Sequence, residues 1–285
     1  MKKYLFALST LAILLSMGSC DVIEGSPYKD TVVDTNTTEA VRNVFIEDFT
    51  GHRCNNCPDA SQVIKDLEGL YGDRIIGLAI HAGPGSFTNV LLPDYPTDFT
   101  TPEGKQLQNF FDPMRLLPTG MVNREGYTGS GRDHMKAKED WATLSAQSMD
   151  STLRMDIEAT ATFKSDSTVE VEVSCEALTD LLHDVEIVAL IKEDYIISPQ
   201  LMPDGSRNAN YVHMNVLRDH ITDLWGENLA ISPVVKGDEF AITLSPNEPS
   251  WKWDPVWVQS NSTVVVYVYN PDNYQVLQAV EVPIN

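Results

Sequence analysis

The fold of the first half of the chain is decided by residues 44–80, which read VFIEDFTGHRCNNCPDASQVIKDLEGLYGDRIIGLAI. The stretch opens with a short apolar strand at residues 44–49 and closes with another at residues 75–80. Between the two strands, apolar side chains recur at the spacing of one helix face, and these are Ala60, Val63, Ile64, Leu67, Leu70 and Tyr71. Pro58 fits in the opening turn of that helix. A strand, a helix and a strand in this order predict an α/β unit.

Cys54 and Cys57 are separated by two residues at the junction between the first strand and the helix. At this position the unpaired N–H groups and the dipole of the helix stabilise a thiolate on the first sulfur. A stabilised thiolate is what disulfide exchange requires. Cys57 lies one turn further in, so we expect it to be the more buried thiol, which resolves a mixed disulfide. His52 and Arg53 add positive charge where a substrate would bind.

Other roles for the cysteine pair stay open. One is an inert structural disulfide, and another is half of a metal site. No second Cys or His pair stands at ligand spacing, so neither a metal nor a cofactor is expected. In an oxidising exterior the spacing pairs Cys54 with Cys57 and leaves Cys175, which sits on the apolar side of its strand as an inert thiol.

The second half of the chain changes character at about residue 150. Residues 153–163 and 169–176 alternate apolar and polar side chains, as half-buried strands do. Further strands are predicted at residues 185–191, 211–217, 240–244, 263–269 and 275–284. Seven strands with turns between them predict an all-β, immunoglobulin-like sandwich. We therefore expect an α/β domain at residues 41–150 and a sandwich domain at residues 151–285.

The N-terminus has the pattern of an exported protein. Residues 1–19 read as a signal peptide, with two lysines before an apolar run that is too short to span a bilayer. The small residues before Cys20 resemble the lipobox at which a bacterial lipoprotein is cut and lipidated. Cys20 is then the anchored N-terminus, and residues 20–40 include a flexible tether. The alternative is an ordinary secretory signal with a chance cysteine at its boundary.

The charge of the chain bears on its partners. Asp and Glu number 41 against 20 Lys and Arg, which gives a net charge of −21. Such a surface repels phosphate backbones, so nucleic acid is not an expected partner. The acidic residues are spread along the chain, which is typical of a solvated surface.

Residues 41–150 resemble thioredoxin-like proteins in more than the cysteine spacing. Asp48 lies six residues before Cys54, where thioredoxins keep a buried acid that assists proton transfer at the inner cysteine. Residues 117–119, Leu-Pro-Thr, resemble the cis-proline segment of that family. The resemblance implies an α/β thioredoxin-like domain in which Pro118 and Thr119 face the cysteine pair and offer backbone to an extended substrate.

The chain also departs from the thioredoxin pattern. Arg53 replaces the usual Trp before the first cysteine, and Asn55 and Asn56 replace Gly-Pro, so a redox potential cannot be carried over from the family. Simpler alternatives exist for the other two positions. Asp48 could be a strand-end acid satisfied by backbone donors, and Pro118 could lie in a trans turn.

Two segments, residues 47–58 and 211–218, are similar to the outer membrane protein 28 family. This resemblance implies an outer-membrane lipoprotein of Bacteroidetes type, facing the periplasm or the cell surface, for which adhesin or receptor roles are suspected. Within the second segment, His213 and Arg218 are candidates for ordering a surface between the two halves.

Two functions follow from the sequence. The first is thiol–disulfide exchange on exported proteins, in which Cys54 attacks, Cys57 resolves, Asp48 handles the proton and Pro118 positions the substrate. The second is an adhesin or receptor that binds a surface ligand, in which the thioredoxin-like domain is a scaffold and the disulfide is structural.

Overall fold

The computed structural model describes residues 40–112, 114–248 and 250–285. The predicted signal peptide, Cys20 and the tether up to residue 39 lie outside the described residues. The helices are α1 Cys57–Tyr71, α2 Gly85–Thr88, α3 Pro102–Phe111 and α4 Lys138–Met149. The strands are β1 Val44–Thr50, β2 Ile75–His81, β3 Thr119–Val122, β4 Met155–Phe163, β5 Val169–Ala177, β6 Val185–Glu193, β7 Ile196–Leu201, β8 Arg207–His213, β9 Val216–His220, β10 Glu227–Ala230, β11 Glu239–Leu244, β12 Ser262–Tyr269 and β13 Val276–Pro283.

The predicted strand–helix–strand unit is present in the first half. β1 runs parallel to β2 along its whole length, and β3 pairs antiparallel with β1. α1 places Ala60, Ile64 and Leu67 against this part of the sheet. The burial of β2 on both faces explains why its sequence is almost entirely apolar, whereas β1, equally buried, carries Glu47 and Asp48 into the interior.

Strands from the second half extend the same sheet. Its order is β13-β12-β6-β9-β2-β1-β3, with β10 paired to β6. Residues 40–285 form one compact unit. The boundary expected near residue 150 therefore separates the two halves along the chain, but it does not divide the sheet. The protein is mostly β, with a mixed central sheet and a few helices.

A second sheet, of order β11-β5-β4, packs on the C-terminal part of the large sheet. β5 buries every second residue, as its alternating sequence predicts. Two packed sheets are thus present, but the expected self-contained sandwich is not, because one of its sheets continues into the first half of the chain.

The single strand predicted at residues 211–217 is in fact the end of one strand and the start of the next. β8 ends at His213, Asn215 turns the chain with φ +60°, and β9 begins at Val216. β8 pairs with β7 in a separate hairpin, whereas β9 enters the large sheet between β6 and β2. Four of the seven residues of β8 are exposed at its start, so the hairpin lacks the alternation that would have predicted it.

A buried ion pair of the first half is joined to the second half by a hydrogen bond to Tyr267. Arg124, in the turn after β3, donates from Nε and Nη2 to the Glu47 carboxylate on β1, at 2.7 Å each. It also donates to the Tyr267 hydroxyl on β12 at 3.0 Å, and its guanidinium lies 4.8 Å from the centre of the Phe111 ring. Both charged side chains are only 1% exposed, so neither charge has access to bulk water.

Replacing Arg124 should be severely destabilising. Arg124→Met leaves the Glu47 carboxylate buried without a counter-charge, which typically costs about 3–5 kcal/mol. Urea unfolding should report this loss in the free energy of unfolding. The double variant Arg124→Met/Glu47→Leu should recover much of it, since no charge stays buried. The exposed pair Lys164–Glu170 supplies the control, and Lys164→Met should have a far smaller effect. Equal effects of the two Met variants would contradict this interpretation.

Candidate functional site

Cys54 and Cys57 form a disulfide at the start of α1, with their Cα atoms 5.4 Å apart. The Cys54 N–H donates to the Gly51 carbonyl at 3.0 Å, which holds the loop that leaves β1. The predicted pairing is confirmed. In the described part of the chain Cys175 is left unpaired and buried, and burial raises the pKa of its thiol to about 12.

The hairpin of β7 and β8 packs on the cysteine loop. The Gln200 side-chain amide donates to the Cys54 carbonyl at 3.0 Å, and the Leu201 N–H donates to the His52 carbonyl at 2.9 Å. Cys54 is only 3% exposed and Cys57 only 2% exposed. A thiol from another protein therefore has almost no access to either sulfur in this conformation.

Asp48 lies on β1, buried beside the inner cysteine. It lines the same small cavity as Cys57 and Ser61. Its Oδ1 atom has no hydrogen-bond partner among the residues that the structure describes. Burial raises the pKa of Asp48 to about 8. At neutral pH the side chain is therefore mostly protonated and able to give a proton to a thiolate.

Three histidines surround Phe99 next to this cavity. The ring centres of His81 and His213 lie 4.6 and 4.5 Å from that of Phe99, and His52 lies 5.7 Å away. Burial lowers the pKa of His52 and of His213 to about 4 and the pKa of His81 well below its usual value. All three rings are neutral at neutral pH.

The positive charge expected from His52 is therefore absent, because the residue is 1% exposed and uncharged. Its side chain packs inside the protein and is not placed to contact a substrate in this conformation. Arg53 is half-buried and supplies the positive charge alone. Its guanidinium lies 5.8 Å from the centre of the Tyr95 ring.

Pro118 and Thr119 lie at the start of β3, next to the end of β1 that leads into the cysteine loop. Thr119 pairs with Phe49 across the sheet, which places this segment beside the end of β1 from which the cysteine loop departs. The Leu117–Pro118 peptide is cis, as predicted. The Thr119 hydroxyl donates to the Lys136 carbonyl at 3.3 Å, so its side chain already has a partner within the protein.

Several residues of the site could not be identified from the sequence alone. Gln200, Tyr211 and His81 line the cavity with Asp48, and of the two histidines that line it only His213 was singled out in advance. The similarity of residues 211–218 to a family was the one available signal. Arg218 lies apart, where its Nε donates to Glu193 on β6 at 2.7 Å.

A family model for the outer membrane protein Omp28 matches residues 105–285, which is more than half of the chain. The chain belongs to the Omp28 family of outer membrane proteins. This places the protein at the outer membrane. No helix in the described residues is long and apolar enough to cross a membrane. No curated protein matches the chain.

Solved structures of related shape have distant sequences. HBP35 of Porphyromonas gingivalis is 19% identical, with a TM-score of 0.62 over 87% of this chain and 77% of its own. A protein from Agrobacterium tumefaciens is 15% identical, with a TM-score of 0.51 over 87% of this chain and 97% of its own. A domain of the outer membrane lipoprotein Omp28 from Porphyromonas gingivalis is 20% identical, with a TM-score of 0.30 over 47% of this chain and 91% of its own. The first two share the fold.

The buried acid should make stability depend on pH. The folded-state pKa of Asp48, about 8, is raised above its unfolded value, so between about pH 4 and 8 the unfolded chain loses a proton that the folded chain keeps. Its contribution to stability is fully present below about pH 4, falls by up to about 1.4 kcal/mol per pH unit, and levels off above pH 8.

Asp48→Asn should remove that slope, so the variant should gain stability over the wild type as the pH rises from 4 to 8. Urea unfolding of the oxidised chain across this range measures the difference. The exposed Asp66→Asn on α1 is the matched control and should keep the wild-type slope. An unchanged slope in Asp48→Asn would show that the acid ionises freely in the fold.

Loosening the hairpin should expose the disulfide. Gln200→Ala removes the side-chain hydrogen bond to the Cys54 carbonyl, a loss of about 1 kcal/mol that corresponds to about a fivefold faster reduction if opening limits the rate. Dithiothreitol reduction followed by alkylation and mass measurement gives the rate. Gln62→Ala on the exposed face of α1 should reduce at the wild-type rate. Equal rates in both variants would mean that the hairpin does not control access.

Proposed function

We propose that this protein is a lipoprotein, anchored through Cys20, that carries out thiol–disulfide exchange on exported proteins with the Cys54–Cys57 pair of a thioredoxin-like part. One observation carries the proposal. Asp48 is buried without a hydrogen-bond partner for Oδ1 in the described residues, in the same cavity as Cys57. An unpaired acid is costly to bury, and perturbed acids of this kind cluster at functional sites.

The arrangement of the strands supports the thioredoxin-like assignment. The cysteine pair begins a helix that connects two parallel strands, an antiparallel strand flanks them, and a cis-proline precedes that strand. The start of α1 supplies N–H groups and a helix dipole that favour a thiolate on Cys54.

The exchange reaction starts from the oxidised pair. A substrate thiolate attacks the Cys54 sulfur, a mixed disulfide forms, and the Cys54–Cys57 bond breaks. The Cys57 thiolate that leaves takes the proton held by Asp48. A second substrate thiol, after losing its proton, attacks the substrate sulfur of the mixed disulfide and releases Cys54. The substrate dithiol is oxidised to a disulfide and the pair is reduced to a dithiol.

In this proposal the hairpin controls the access of a substrate to the disulfide. Because both sulfurs are buried, a substrate must first displace β7 and β8 from the cysteine loop. Gln200 and Leu201 hold that contact with three hydrogen bonds, to the carbonyls of Gly51, Cys54 and His52, which binding energy from the substrate can replace.

The burial of Cys54 and Cys57 also favours a second function. A disulfide whose two cysteines are each 3% exposed or less is also typical of a structural bridge. In that case the protein is a receptor or adhesin at the outer membrane, and the cysteine pair only braces the loop on which the hairpin rests.

The reduction potential separates these functions. The purified chain, carrying Cys175→Ser so that only the pair is read, is equilibrated in glutathione buffers and analysed by alkylation and mass spectrometry. We expect a potential between about −120 and −270 mV, the range of known exchange catalysts. A value below about −300 mV would mark a structural bridge and sink the exchange reaction in favour of the binding function.

A further inference from the structure

The cavity beside Cys57 is formed by residues from both halves of the chain. Its volume is about 20 Å³. Asp48 on β1, Cys57 on α1 and His81 on β2 line it from the first half. Tyr211 and His213 on β8 line it from the second. The lining of this space is therefore complete only when the hairpin is in place.

Two polar atoms of these residues are buried without a partner. Asp48 Oδ1 and His81 Nδ1 have no hydrogen bond to any described residue, and the two residues are 1% and 4% exposed. Buried polar groups in folded proteins are usually bonded, either to the protein or to an internal water. A water needs about 10–15 Å³ of such space and two to four polar partners. The cavity has room for one.

The ring of His213, which also lines the cavity, can accept a hydrogen bond from a water. His213 Nε2 lies 3.3 Å from the Ser198 carbonyl oxygen, which only accepts, so Nε2 carries the hydrogen and Nδ1 is an acceptor. Burial keeps His81 and His213 neutral, with each pKa below its usual value. Tyr211 also lines this space, and burial raises the pKa of its phenol. No cation among the cavity-lining residues faces Asp48.

We propose that the cavity is a binding site for one water molecule, and that His81 and His213 are positioning residues that hold this water against the Asp48 carboxyl. The water donates to the imidazoles and accepts from the protonated acid. Its role in supplying a new proton to Asp48, after Asp48 has protonated the Cys57 thiolate, rests on the exchange reaction proposed above. The water site itself does not.

The test is a titration of Asp48 in the oxidised chain. The carboxyl carbon is followed by ¹³C NMR from pH 5 to 10 and assigned by its loss in Asp48→Asn. His81→Phe and His213→Phe remove a partner of the water, so the ionised carboxylate loses solvation. We expect each to raise the pKa of Asp48 by about one unit, a tenfold change in proton affinity.

Conservative variants separate water binding from packing. His81→Asn and His213→Asn keep a group that can hydrogen-bond the water, and they should leave the pKa of Asp48 close to that of the wild type. His220→Phe is the matched control, since His220 is a buried histidine on β9, among the residues of a different cavity, and has no ring hydrogen bond within the described residues. It should leave Asp48 unchanged.

Each outcome of the titration either supports or overturns the water site. An unchanged pKa of Asp48 in both Phe variants overturns the water site, and so do equal shifts in the Phe and Asn variants. If His81→Phe fails to fold, the His213 pair gives the same answer. Because the titration uses the oxidised chain and needs no exchange, a reduction potential in the structural range would remove the exchange reaction and leave this result standing.

Discussion

The Glu47–Arg124 pair is the interaction on which the structure depends. Two charges lie in the interior, each only 1% exposed, and removing either partner would leave the other charge buried without compensation. The partners come from β1, from the turn after β3 and from Tyr267 on β12. The ion pair of the first half therefore has part of its hydrogen bonding supplied by one of the last strands of the chain.

The same dependence is seen at the cysteine pair. The carbonyls of His52 and Cys54 find their donors in Leu201 and Gln200, about 150 residues further along the chain. These donors sit on a hairpin that belongs to neither of the larger sheets. The environment of the disulfide is thus a property of the whole unit, and the hairpin is the element that can change it without disturbing the central sheet.

Burial also sets the charges around the pair. Asp48 is mostly protonated at neutral pH and the three histidines are neutral, although the surface of the protein is strongly acidic. In such uncharged, buried surroundings each remaining hydrogen bond counts for more, because the local dielectric constant is low. This burial also means that chemistry at Cys57 would depend on proton transfer among buried groups.

By itself, the sequence determined the local features of this protein. The strand–helix–strand unit, the start of α1 at the cysteine motif and the cysteine pairing all depend on residues close together in the chain, where periodicity and spacing are informative. The cis-proline was implied by the resemblance of residues 117–119 to thioredoxin-like proteins. The alternation along β5 likewise predicted which of its side chains are buried.

Only the tertiary structure decided how these pieces combine. The sharing of one sheet by both halves, the division of residues 211–217 between β8 and β9, and the hairpin over Cys54 all rest on pairings between distant residues. The neutral state of His52 was likewise hidden, because the charge of a histidine follows from its burial, and burial is set by what packs against it from elsewhere in the chain.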